Sequence, residues 1–175
     1  RQGMAIRFNE TDARVLGRTA RGVRALNLEE DDIVVGMVPV MENTTVLTVS
    51  ENGQGRRTDP AEYRLQSRGG KGIKNYDTQK NGPVAGVLAV GEEDDVILIS
   101  DDGIIIRIPV AEISTQSRYA GGVRVMRIGE GSRLVSLCRA PHEDEEEAAA
   151  ESEAPAEAET PAEETADSTE SPVEE

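Results

Sequence analysis

The chain has 175 residues, one cysteine, one histidine, no tryptophan and a formal net charge of −15. The lone Cys138 excludes an internal disulfide and a cysteine-based zinc site, and no apolar run approaches the roughly 18 residues of a membrane helix. The charge is local: 15 of the 34 acidic residues and no Lys or Arg fall in Glu143–Glu175, so the 19 remaining acids balance the 19 cations.

In chain order, residues 1–141 read as short strands with no sustained helical period. Gly3 and Ala5-Ile6-Arg7-Phe8 open a first unit that lacks a leading strand. Its later strands are expected at Val23–Leu28 and Ile33–Val40. The second unit begins with Val46–Ser50, turns at Asn52-Gly53, and continues through Gln54–Thr58, Ile73–Tyr76 and Val84–Val90. The third repeats this with Val96–Ser100, Asp102-Gly103, Ile104–Ile108, Val123–Ile128 and Leu134–Arg139. Asn-Gly and Asp-Gly between apolar runs are strong hairpin signals. Pro60 and Pro109 are expected to end pairing, because proline has no N–H to give a ladder. Cys138, flanked by Val135 and Leu137, reads as a small core side chain. His142 reads as a solvent-facing group at the head of the acidic segment.

The three units share a period of 50. Gly3, Gly53 and Gly103 are in phase, as are Arg7, Arg57 and Arg107, and Asp12, Glu62 and Glu112. So are Arg18, Arg68 and Arg118, then Gly22, Gly72 and Gly122, each followed by Val23, Ile73 or Val123. Ser136 falls where Gly36 and Gly86 stand. Four strands per roughly 50 residues is the pattern of propeller blades. The expectation is an all-β, propeller-like fold over residues 1–141, with about three four-stranded blades of a longer ring. Residues 142–175, rich in Glu, Ala, Pro, Thr and Ser, are expected to be a disordered acidic tail, since they cannot bury enough apolar surface to fold.

Cations gather mid-unit and acids at unit ends. The stretch Gln66-Ser67-Arg68-Gly69-Gly70-Lys71-Gly72 is the densest case, with three glycines, two cations and no acid. Arginine offers phosphate a planar fork and lysine a point charge. Repeated at fixed phase, such residues form a curved basic band suited to bent duplex DNA. The candidate DNA contacts are Arg7, Arg14, Arg18, Arg21, Arg24, Arg57, Arg64, Arg68, Lys71, Lys74, Arg107, Arg118 and Arg124. The alternative is that Arg7/57/107 or Arg18/68/118 pair with the repeated acids Asp12, Glu62 and Glu112. Few aromatics (Phe8, Tyr63, Tyr76 and Tyr119) argue against base stacking as the main mode of recognition.

The units resemble the C-terminal domain of the DNA gyrase A protein, a ring of blades called a β-pinwheel. Asn52-Gly53, Arg56-Arg57-Thr58, Glu62-Tyr63-Arg64, Arg68 and Gly72-Ile73 carry the resemblance, as do the equivalent residues of the first unit. Gln66–Gly72 matches the family's GyrA box, Gln-Arg-Arg-Gly-Gly-Arg/Lys-Gly, at six of seven positions, with Ser67 departing. Because the acidic segment follows one unit later, this stretch reads as a later blade's echo of that box.

The resemblance implies a module that wraps duplex DNA and supports ATP-dependent negative supercoiling by a type IIA topoisomerase. The gyrase B protein would be its partner in an A2B2 heterotetramer in the cytoplasm, with no membrane role. The alternatives are the corresponding C-terminal domain of topoisomerase IV, or a propeller for protein–protein contact. The resemblance places ATP and Mg elsewhere in the parent and implies no cofactor, metal or catalytic residue in this stretch. The family's nucleophilic tyrosine follows an arginine, as Tyr119 follows Arg118, but Tyr119 shares its repeat phase with Thr19 and Gly69 and is a blade position.

Overall fold

The computed structural model describes residues 1–142; the acidic stretch from Glu143 onward lies outside the described residues. Nine strands form there: β1 (Met4–Ala5), β2 (Thr45–Ser50), β3 (Gln54–Thr58), β4 (Ile73–Lys74), β5 (Val84–Val90), β6 (Asp94–Ser100), β7 (Ile105–Pro109), β8 (Val123–Arg124) and β9 (Leu134–Pro141). One turn of α-helix, Thr78–Asn81, is the only α-helical segment among the described residues.

β2 and β3 form the expected hairpin, with Gly53 N–H bonded to Ser50 O at 3.0 Å; the Gly103 turn repeats this at 3.1 Å. In the second and third units the fourth strand packs on the far side of the first. β5 thus pairs antiparallel with β2, and β9 with β6. Leu47, Val49, Val90, Val96, Leu98, Val110, Ile113, Val125, Met126 and Leu134 point inward as one buried cluster.

The third strand departs from the four-strand blade read from sequence. β4 pairs with β1, and β8 with β3, so each joins the preceding unit's sheet instead of its own. The register repeats with the sequence: Met4 faces Lys74 and Ala5 faces Ile73, just as Gln54 faces Arg124 and Gly55 faces Val123. The resulting four-stranded sheet has the order β5-β2-β3-β8. Successive blades are therefore sewn together by strand exchange.

Two repeated glycines are required by this seam. Gly53 has φ +74°, and a Cβ there would lie 2.2 Å from Met126 O. Gly72 has φ +75°, and its Cβ would lie 2.3 Å from Ala5 O. Both distances are far inside van der Waals contact, and both φ values lie where side-chain-bearing residues are strained.

Two expected strands, Val23–Leu28 and Ile33–Val40, do not form. At the phases where β4 and β5 pair, residues 23–40 find no partner strand among the described residues. A short 3-10 turn also stands where a plain loop was expected in each unit: Glu10–Asp12, Pro60–Glu62 and Val110–Glu112. Cys138 is exposed, not a core residue. It faces Ile97 across the ladder on β9, the edge strand of its three-stranded sheet, where Val135, Ser136 and Arg139 are exposed as well.

Candidate nucleic-acid interface

The repeated arginines divide into those that hold blades together and those that face water. Arg7 Nη1 donates to Pro60 O at 2.8 Å and to Tyr63 O at 3.4 Å. One unit later, Arg57 Nε donates to Ile113 O at 2.5 Å, the carbonyl in phase with Tyr63 O. Arg57 also grips Glu92, whose carboxyl is held below its ordinary pKa by that hydrogen bond and the guanidinium charge. Arg107 donates to Asp95 Oδ2 at 2.7 Å and to Pro141 O at 2.5 Å. His142 Nδ1 stands 2.7 Å from the other oxygen of Asp95. Burial opposes ionisation of Asp95, but hydrogen bonds from His142 and Arg107 outweigh it and lower its pKa. The acceptors of this series are thus neighbouring carbonyls, Glu92 and Asp95 in place of Asp12, Glu62 and Glu112. At 4% exposure, Arg57 is withdrawn from the candidate DNA contacts.

Arg68 and Arg118 are half-buried and serve as anchors. Arg68 Nη1 donates to Arg24 O at 2.9 Å and Nε to Asp12 O at 3.0 Å, both in the preceding unit. Arg118 Nη1 donates to Lys74 O, the same position one unit on. Backbone bonds complete the seat: Gly69 N to Ala25 O at 2.6 Å, Asn27 N to Gly70 O at 2.9 Å and Gln66 N to Arg7 O at 2.9 Å. The box-like loop is therefore clamped to its neighbour through Gln66, Arg68, Gly69 and Gly70. Ser67 and Lys71 face solvent, as does Arg64 beside the loop, whereas Gly72 lies against Ala5 O. The stretch read as one phosphate grip is a rigid mount whose outward charges are Arg64 and Lys71.

A buried polar cluster backs this mount. Arg56 is fully buried at 0% exposure, with Nη2 donating to Arg118 O at 2.6 Å and to Asn75 O, and Nε donating to Thr58 Oγ1 at 3.2 Å. Its guanidinium lies 4.9 Å from the Tyr76 ring centroid. Tyr63 Oη donates to Asn75 Oδ1 at 2.6 Å, and Asn75 Nδ2 donates to Thr48 Oγ1 at 3.1 Å. Burial lowers the Arg56 pKa and raises those of Tyr63 and Tyr76, so both phenols stay protonated and able to donate. In the third unit Ile106, Ile108, Ile113, Val125, Met126 and Leu98 occupy the phases of Arg56, Thr58, Tyr63, Asn75, Tyr76 and Thr48. The role of Arg56 was legible only by this superposition, since Ile6 and Ile106 flank it at the period of 50.

Of the candidate contacts, Arg14, Arg18, Arg21, Arg24, Arg64, Lys71, Lys74, Arg107 and Arg124 are exposed; Arg7, Arg68 and Arg118 are half-buried. One further series is a repeat that the candidate contacts contain but that the phases above do not include. Arg24, Lys74 and Arg124 are spaced by 50 and all exposed. On the exchanged strands Ile73 and Val123 turn inward, so Lys74 and Arg124 turn outward. Pleating makes this alternation obligatory. Arg127, also exposed, adds a further cation three residues beyond Arg124. The donors are phosphate-suited forks and ammonium groups, and no cluster of His, Cys, Asp and Glu suited to a metal occurs among the described residues.

A family model described as the DNA gyrase C-terminal domain, β-propeller, matches residues 1–41, 44–90 and 94–137. The chain is 51% identical over 65 residues to the DNA gyrase A protein of Haloquadratum walsbyi, covering 36% of this chain and 8% of that protein. It is 44% identical over 61 residues to that of Salmonella typhimurium, covering 35% and 7%. It thus spans under a tenth of the length of these curated relatives. Among solved structures, a DNA gyrase A C-terminal domain superposes with TM-score 0.72 at 33% identity, over 79% of this chain and 47% of that one. The C-terminal domain of DNA topoisomerase IV superposes with TM-score 0.75 at 24% identity, over 86% and 48%, a likeness of fold. With its repeat, exchanged strands and matched segments taken together, the chain belongs to the DNA gyrase C-terminal domain, β-propeller family.

Proposed function

We propose that this chain is a DNA-contacting part of a type IIA topoisomerase, and that it binds and bends duplex DNA along its basic edge. The observation that carries this reading is the outward cation on each exchanged strand and its counterpart in the first unit, Arg24, Lys74 and Arg124, flanked by Arg64 and Lys71. The register repeats between the exchanged strands, so Lys74 and Arg124 hold equivalent places on successive blades. Phosphates contacted this way fix the path of a duplex without reading its bases. Bending a 20–30 bp site costs about 1–6 kcal/mol, so several such contacts must act together.

The curated relatives are DNA gyrase A proteins, which supports placing the chain in an assembly with the gyrase B protein. In that assembly the wrapped duplex is passed through a cut in the same molecule, with negative supercoiling driven by ATP. ATP and Mg act outside this stretch, and the parent enzyme is cytoplasmic. Among the described residues, no helix is long and apolar enough to cross a membrane.

The test is a salt titration of the chain with a duplex of about 40 bp. The logarithm of affinity should fall linearly with the logarithm of salt, with a slope near −0.9 per phosphate neutralised. Arg124→Ala should make the slope shallower by about 0.9. No binding at low salt, or affinity indifferent to salt, overturns the reading.

A further inference from the structure

We propose that Tyr119 is a DNA-backbone contact of the third blade, its hydroxyl donating to a phosphate oxygen; this rests on the DNA-binding reading above. The loop Gln116–Gly122 repeats the box-like loop Gln66–Gly72, sharing Gln, Ser and Arg at its first three positions. It differs at the tip. The first two units carry a cation at the phase of Lys71, namely Arg21 and Lys71, whereas the third carries Gly121. The third loop has instead a tyrosine at the phase of Thr19 and Gly69. Tyr119 is 77% exposed, while Tyr63 and Tyr76 are 5% and 1% exposed.

An exposed aromatic would ordinarily sample several rotamers, but this one is braced. The Arg118 guanidinium sits 4.3 Å from its ring centroid, and Arg118 Nη2 donates to Tyr119 Oη at 2.5 Å. Arg118 is itself fixed, donating to Lys74 O and accepting at its own carbonyl from the buried Arg56. Because Oη accepts from Arg118, its own proton is left to donate outward. A hydroxyl donor beside a guanidinium suits an acceptor-only anion, and tyrosine is among the side chains that position DNA through phosphate oxygens. Lys74, whose carbonyl receives Arg118, lies in the outward cation series. Tyr119 therefore continues the basic edge where the loop lacks its tip cation.

The absence of tryptophan makes tyrosine emission a direct readout, and the other two tyrosines are buried. The chain is titrated with a short duplex while emission and affinity are followed for wild type, Tyr119→Phe and Tyr119→Ala. Wild-type emission should change on saturation, and the change should vanish in both variants. Tyr119→Phe keeps the ring over Arg118 and removes only the hydroxyl. It should weaken binding about three- to tenfold, the net worth of one hydrogen bond, with an unaltered salt slope. Wild-type binding with unmoved emission, or Tyr119→Phe binding as tightly as wild type, overturns this assignment and leaves the DNA-binding reading standing. Failure of the wild type to bind any duplex removes both.

Discussion

Arginine side chains in this protein have two fates, decided by what lies within reach of the guanidinium. Arg24 and Arg124 are exposed, and on its exchanged strand Val123 turns inward, so the Arg124 charge faces water and mobile ions; Lys74, at the same phase, is exposed beside the Asp77 carboxylate at 3.3 Å. Arg57 stands on β3 under the next unit's 3-10 turn, where its fork meets Ile113 O and the Glu92 carboxylate. The sequence marks both kinds with the same letter. What separates them is an acceptor on the backbone, and a carbonyl oxygen leaves no trace in composition. Removing Arg57 would strip a buried carbonyl of its donor and leave a void between two blades. Arg57→Ala should cost about 2–4 kcal/mol of stability, read as a lower denaturant midpoint at unchanged slope. Its DNA affinity, compared where both proteins are fully folded, should match wild type. An equal loss of affinity without loss of stability would restore Arg57 to the contact surface.

At the scale of strands, the period of 50 and the alternation of apolar residues made most of the elements legible. Val84–Val90 matches the expectation, and Thr45–Ser50 and Asp94–Ser100 differ only at their starts. The exchange of β4 and β8 into the preceding sheet was not legible, for a physical reason. Alternation tells which side chains are buried, but not which backbone lies alongside, and either pairing buries Ile73 and Val123. Cys138 shows the converse: its apolar neighbours implied a core, yet it stands exposed on an edge strand whose Val135, Ser136 and Arg139 are exposed too. The glycines held only part of the missing information, because a positive φ asks for glycine at Gly22 with nothing within 4 Å, whereas at Gly72 another backbone also comes close. Gly72→Ala would press a Cβ against Ala5 O while forcing φ +75° on a side-chain-bearing residue. A loss of about 2–4 kcal/mol is expected from the combined strain and clash. Hydrogen exchange should localise it, with protection falling at Ala5 and Ile73 while the β2–β5 ladder keeps its own. Uniform loss of protection would mean that the blades unfold as one body and the seam has no separate stability.

The whole molecule carries its charge unevenly. Residues 1–142 are balanced in formal charge, and Glu143–Glu175 contribute the entire excess of −15. The balance itself hides a segregation, since the outward cations of the exchanged strands lie apart in sequence from the acidic turns between units. The acidic segment belongs to the same chain, and its charge has the sign of a duplex's phosphates. Fields of such charges raise or lower the local concentration of a polyanion, and they fade beyond a Debye length of about 10 Å at 0.1 M salt. Deleting Glu143–Glu175 should therefore tighten duplex binding at low salt. The gain should shrink steadily as salt is added, because screening removes the repulsion before it removes contacts between cations and phosphates in direct touch. Affinity and association rate measured for both chains across a salt series separate the cases. A gain in association rate that disappears with salt identifies long-range repulsion. A gain that persists at high salt indicates direct occupation of the cations by the acidic segment, and identical binding at every salt would show that its charge does not act on the duplex at all.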